Sequence, residues 1–196
     1  MDYAPDTALI VVDVQNDFAD PAGSLSVRGA PAILPILNAE VASALSAGAT
    51  VVYTQDWHPP TTPHFAKDGG IWPVHCLADS WGSDFHPDLV VDGDVVRKGV
   101  GGEDGYSGFS VADPQSGQRQ DTELHSLLRD HGIQRLVIGG LATDYCVRAT
   151  ALDGIDRGFE TVVLTNAIAG VDRAAGDSER ALDEMQAAGV TLAQAG

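Results

Sequence analysis

The sequence predicts an α/β protein of three layers, with a central, mostly parallel, doubly wound sheet between two layers of helix. Three observations carry this. Short apolar runs alternate with stretches of helical period along the whole chain, the signature of strand and helix in turn. The first run, residues 8–14, is apolar almost throughout up to Asp13, as a strand covered on both faces should be. The 196 residues, 44% of them hydrophobic, suffice for one full core, and no Pro-, Ser- or charge-rich linker divides them, so one domain over residues 1–196 is expected.

The elements follow in order. After the strand at 8–14, residues 31–47 carry Ile33, Leu34, Ile36, Leu37, Val41 and Leu45 at near-helical spacing and stop at Gly48, so a helix is expected there. Residues 50–55 form the second strand and 94–97, ending at Lys98, another. Asp121 is expected to open a helix through Leu124, Leu127 and Leu128 that ends at Gly132. Residues 135–140 read as strand, 146–156 as helix, 161–165 as strand, and 178–188 as helix before the apolar Val190-Thr191-Leu192. Two long irregular stretches, 56–93 and 99–120, interrupt this economy of short connections. Loops of that length in a compact domain are usually functional.

Composition removes several functions. A net charge of -17 and a pI near 4.3 repel phosphate backbones and anionic bilayers, so nucleic acid and membrane are excluded as partners and a small molecule is expected. The start, Met1-Asp2-Tyr3-Ala4-Pro5-Asp6, has no basic segment followed by an apolar one, and no run approaches a membrane span, so a cytoplasmic protein is expected. Cys76 and Cys146 are then expected as free thiols. Monomer and homo-oligomer both remain open.

The chemistry is concentrated at strand ends. Asp56 and His58 stand two apart at the end of the second strand and project to one side, with His64 and then His75 in the loop that follows. A carboxylate with two or three imidazoles suits one divalent ion, zinc, iron(II) or manganese, with positions left for water or substrate. The competing reading is a set of surface histidines in a polar loop. Among 11 basic side chains only Lys67 and Lys98 are lysine, and Lys98 closes a strand, a choice that suits a site needing a compact charge. Cys146 falls in the expected first turn of a helix, where free amides favour a thiolate, although plain packing is the commoner fate of such a cysteine. Asp13, Lys98 and Cys146 all follow strands whose carboxyl ends share one edge of a parallel sheet.

The chain resembles the cysteine hydrolases of the isochorismatase-like fold, and within them the nicotinamidases (pyrazinamidases). The resemblance covers nearly the whole chain. It rests on Val12-Asp13-Val14-Gln15-Asn16-Asp17-Phe18, Asp56-Trp57-His58, Trp72-Pro73-Val74-His75-Cys76, Lys98-Gly99, Tyr106-Ser107-Gly108-Phe109 and Gly140-Leu141-Ala142-Thr143-Asp144-Tyr145-Cys146-Val147, in that order. It implies a catalytic triad of Asp13, Lys98 and Cys146, and metal ligands Asp56, His58 and His75. Some relatives have a fourth protein ligand, here His64, where others have water. It further implies a cis peptide at Leu141–Ala142, an oxyanion hole from the amides of Ala142 and Cys146, and ring contacts from Phe18, Trp72, Tyr106 and Leu141. The implied reaction is hydrolysis of nicotinamide and pyrazinamide through a cysteine thioester, a step of NAD salvage, with the metal binding the pyridine nitrogen. A metal-free sibling hydrolase, such as an N-carbamoylsarcosine amidase or an isochorismatase, and a non-catalytic binding protein on the same scaffold remain as alternatives.

Overall fold

The computed structural model describes all residues, Met1–Gly196. Its centre is a sheet of six strands, β1 (Thr7–Val12), β2 (Thr50–Asp56), β3 (Asp94–Lys98), β6 (Arg135–Leu141), β7 (Glu160–Ala169) and β8 (Thr191–Ala193), in the order β3-β2-β1-β6-β7-β8. Every pairing in it is parallel. A two-stranded antiparallel hairpin, β4 (Ser110–Ala112) with β5 (Arg119–Asp121), stands apart from it.

Alternation along β1 shows why both faces must be covered. Leu9 and Val11 point into one apolar cluster with Ile33, Leu34, Leu37 and Val41 of α2 (Ala30–Ser46). Ala8, Ile10 and Val12 point into a second, with Leu124 and Leu128 of α3 (Leu124–Asp130), Ala151 of α4 (Arg148–Asp156) and Met185 of α5 (Asp177–Ala187). All six residues of β1 are buried, which explains its unbroken apolar run. The layers are therefore helix, sheet, helix, and the strand order turns back between β1 and β6, the place where open parallel sheets open a crevice for ligands. No helix is long and apolar enough to cross a membrane.

Several boundaries differ from expectation for identifiable reasons. The strand expected over 8–14 ends at Val12, because Asp13 takes a left-handed backbone (φ 50°) that turns it off the sheet. A single short turn of helix, α1 (Asn16–Ala19), follows it. The helix expected to open at Asp121 begins instead at Leu124: Asp121 pairs with Ser110 in the hairpin and its carboxylate accepts from Arg157 at 2.5 Å. Strand β7 runs to Ala169, past the expected 165, with its register against β6 broken between Ile138 and Gly140.

Candidate active site and metal centre

Four strand ends and the loops beside them build one pocket. Asp13 leaves β1, Asp56 and Lys98 close the neighbouring β2 and β3, where they lie side by side in register, and Leu141 closes β6 on the other side of β1. Glycine is required where these chains crowd. A Cβ on Gly140 (φ 118°) would lie 2.2 Å from the carbonyl oxygen of Val12, and one on Gly99 (φ 74°) 2.5 Å from the His58 ring.

Lys98 is the hub of the first half of the site. Its Nζ, on a side chain with no exposure, lies 2.7 Å from Asp13 Oδ2 and 3.7 Å from Cys146 Sγ, and also pairs with Asp56 Oδ1 and the Gly105 carbonyl. Asp13 is held in turn by the Thr54 hydroxyl, which donates to its Oδ1 at 2.6 Å. Burial alone would strip Lys98 of its proton, but Asp13 and Asp56 hold its pKa well above the ordinary 10.5. Burial raises the Asp13 carboxyl above 3.8, against the pull of Lys98. Burial works against ionisation of Asp56 as well, yet Lys98, and after it His58 and His75, hold that carboxylate below the usual range.

The nucleophile candidate differs from expectation in its local structure. Cys146 sits in a wide helical turn over Thr143–Val147, closed by the Val147 amide donating five residues back to the Ala142 carbonyl, and α4 begins only after it. Such π turns recur at functional sites. The pull of helix-start amides toward a thiolate meets an opposing effect here. Burial, above every other cause, pushes the Cys146 thiol well above 9.0; Lys98 opposes this, while Asp13 and Asp56 add to it. The peptide between Leu141 and Ala142 is cis, and Ala142 lines the pocket beside Cys146.

The second half is a cluster of buried imidazoles, so the surface-histidine reading fails: His58, His64 and His75 are 0%, 5% and 3% exposed. Their potential ligand atoms lie within 4.8 Å of one another. Asp56 Oδ2 faces this cluster, 3.8 Å from His58 Nε2 and 3.9 Å from His75 Nε2. Nδ1 of His75 meets the Pro73 carbonyl at 2.8 Å, which leaves Nε2 free to take an ion. Burial brings the His75 pKa down to about 4, keeping the ring in its neutral, ligating form. Both ring nitrogens of His58 are buried without a hydrogen-bond partner, a cost that a metal bond would relieve. These residues fit a divalent ion.

Between the two halves lies a pocket of about 420 Å³ including its open mouth, with Asp13, Asp56, His64, His75 and Cys146 in its wall. Phe18, Trp72, Tyr106 and Leu141, the ring contacts implied by the resemblance, all line it. Phe18 packs 5.4 Å from the His75 ring, and the Trp72 indole N–H donates to the Tyr106 hydroxyl at 2.7 Å. Sequence reasoning missed Leu25, Tyr145 and Val171 in the same wall. Tyr145, which packs edge-on to Trp72 at 4.8 Å, was legible as the neighbour of Cys146; Leu25 and Val171 come from loops with no distinguishing pattern.

An acid, an ammonium and a thiol thus meet at the carboxyl edge of a parallel α/β sheet. Residues 7–195 match the isochorismatase domain, and the chain belongs to that family. Among curated relatives, the nicotinamidase of Escherichia coli is 37% identical over 96% of this chain and 94% of its own length. The nicotinamidase/pyrazinamidase of Mycobacterium tuberculosis is 38% identical, over 94% and 97% of the two chains. Among solved structures, the pyrazinamidase of Pyrococcus horikoshii in complex with zinc superposes with a TM-score of 0.86 at 40% identity, covering 97% of this chain and 99% of that one.

Proposed function

We propose that this protein is a metal-dependent nicotinamidase, converting nicotinamide, and pyrazinamide with it, to the carboxylic acid and ammonia. The observation that carries this is the position of Lys98 Nζ, 2.7 Å from Asp13 and 3.7 Å from Cys146, two residues in the wall of a pocket that also holds aromatic rings and imidazoles. The names of relatives that align end to end support the same substrate class.

In the reaction Asp13 accepts the Cys146 proton, and the thiolate attacks the carboxamide carbon to form a C–S bond. Lys98, which stays an ammonium, offsets the charge of the thiolate beside the carboxylates. The amides of Ala142 and Cys146 take the oxyanion, each such donor typically contributing about 3 kcal/mol. Asp13 gives its proton to the departing nitrogen, which leaves as ammonia, and the acyl group remains as a thioester. Asp13 then takes a proton from water, whose oxygen displaces the sulfur and releases the acid. Phe18 and Trp72 flank the ring, with Tyr106 and Leu141 closing the wall.

Asp56, His58 and His75, with His64, would hold one ion, and this donor set suits zinc, iron(II) or manganese. When bound, the ion supplies an acceptor for the pyridine nitrogen and so orients the carboxamide toward Cys146. The deciding experiment is ammonia release from nicotinamide with metal analysis of the same preparation. Turnover with about one divalent ion per chain is expected; a metal-loaded protein that releases no ammonia refutes the assignment.

A further inference from the structure

The loops over 57–75 and 99–106 are tied across the imidazole cluster at three points. Thr62 Oγ1 donates to the Gly102 carbonyl at 2.6 Å, Trp72 donates to Tyr106, and between them His64 Nδ1 meets Asp104 Oδ1 at 2.5 Å. The first and last fasten loop to loop; the His64–Asp104 contact ends on a ring that faces the other two imidazoles. The His64 ring lies 4.7 Å from that of His58, nearly parallel to it, and 5.3 Å from that of His75. Asp104 itself is not among the groups whose ligand atoms converge there, and its side chain is 29% exposed.

We propose that Asp104 is a positioning residue for the metal centre: its carboxylate accepts the Nδ1–H of His64, fixes the ring in the tautomer that bares Nε2, and commits His64 as the fourth protein ligand. This rests on the metal reading above. The arrangement repeats at His75, whose Nδ1 is held by the Pro73 carbonyl. A carboxylate is the stronger partner of the two, because it also raises the basicity of the imidazole it holds. Asp104 is independently anchored to do this. Its amide donates to the Ala112 carbonyl at 2.8 Å and its carbonyl accepts from the Ala112 amide at 2.9 Å, so the side chain is presented by paired backbone rather than by a free loop.

The test uses the full chain, stripped of metal and titrated with zinc against a chromophoric chelator, with the visible spectrum of the cobalt(II) form as a second readout. Asp104→Ala is expected to weaken zinc binding about 10- to 100-fold and to alter the cobalt spectrum as His64→Ala does. The double variant should bind no more weakly than His64→Ala alone, because Asp104 acts only through that ring. Asp104→Asn, whose carbonyl can still accept the Nδ1–H, should recover most of the affinity. The metal-free Asp104→Ala protein should melt with the wild type, since the pairing with Ala112 uses backbone alone. Additive losses in the double variant, an unchanged zinc affinity in Asp104→Ala, or a His64→Ala protein with unaltered affinity and spectrum would each overturn the proposal. In the last case persisting nicotinamide hydrolysis would leave the nicotinamidase reading intact. A wild type that takes up no zinc or cobalt would overturn the metal reading itself.

Discussion

The ammonium of Lys98 and the carboxylate of Asp56 form a buried ion pair that joins the two halves of the site. Asp56 gives Oδ1 to Lys98 and turns Oδ2 toward His58 and His75. The ammonium is also shared with Asp13, so two buried carboxylates stand against one buried cation. Through Oδ2, Asp56 presents charge to the imidazole cluster. The same two carboxylates that add to the rise burial causes in the Cys146 thiol thus make the imidazole side a place for a divalent cation.

Removing Lys98 should therefore harm both stability and turnover. Lys98→Met leaves two buried carboxylates without their counter-ion, a loss of about 3–5 kcal/mol, or roughly 6–20 °C in melting temperature for a chain of this size. Lys98→Arg should fail as a catalyst too, because a planar fork cannot replace a compact charge in a pocket that holds Asp13, Asp56 and Gly105 around one atom. Thermal melts and ammonia release check this. Near-normal rates in either variant would contradict the role of the ammonium.

The two thiols should separate cleanly under limited alkylation. Cys146 is 8% exposed in the pocket wall, whereas Cys76 is fully buried, with its amide bonded to Asp17 and its sulfur toward the Gly82 carbonyl. Loss of activity should track label on Cys146 alone, read by peptide mapping. Asp13→Asn should keep the fold and lower kcat by about 10²–10⁴, since it removes the proton acceptor. Inactivation that tracks label on Cys76 would refute the assignment.

How much of this was legible in sequence depends on where each residue sits along the chain. Asp13, Asp56, Lys98 and Cys146 follow strands that apolar runs reveal, and parallel strands bring their ends to one edge whatever the loops do. His64 and Asp104 lie instead in the two long loops, and only the folded course of those loops brings them together. The hairpin of Ser110–Ala112 with Arg119–Asp121 is too short to show a strand period, and misreading Asp121 as a helix start follows from that. Sequence shows the turn that carries Cys146 but not the burial that dominates its thiol.

The pH dependence should be one-sided. If Asp13 works as a carboxylate base, kcat/KM should rise with pH through an acid limb lying above the ordinary carboxylate range, because burial raises its pKa above 3.8. Lys98 holds its proton beyond 10.5 and the Cys146 thiol lies above 9.0, so neither should produce a fall below about pH 9. The measurement is kcat/KM for ammonia release across pH at fixed metal loading. An acid limb at the ordinary carboxylate value, or a falling limb between pH 7 and 9, would contradict these assignments.

Metal removal gives the sharpest test of the metal reading. If Asp56, His58 and His75 hold one ion, a chelator should remove metal and activity together, and a divalent ion should restore both. His75→Ala should lose the ion outright, because its Nε2 is one of the nitrogens that face Asp56. His64→Ala should weaken binding without abolishing it, since water can take its position. Substrate choice then tells a templating ion from a structural one. Nicotinamide and pyrazinamide carry a ring nitrogen meta to the carboxamide-bearing carbon and benzamide carries none, while all three offer a similar flat ring to the pocket that Phe18 and Trp72 line. A templating ion should make benzamide much the poorest substrate of the loaded enzyme, and stripping the metal should narrow the gap, because the lost interaction belongs to nicotinamide alone. Equal rates on benzamide and nicotinamide in the loaded enzyme, or full activity in a metal-free preparation, would remove the ion from substrate recognition and leave Asp13, Lys98 and Cys146 as an amidase site of the wider family.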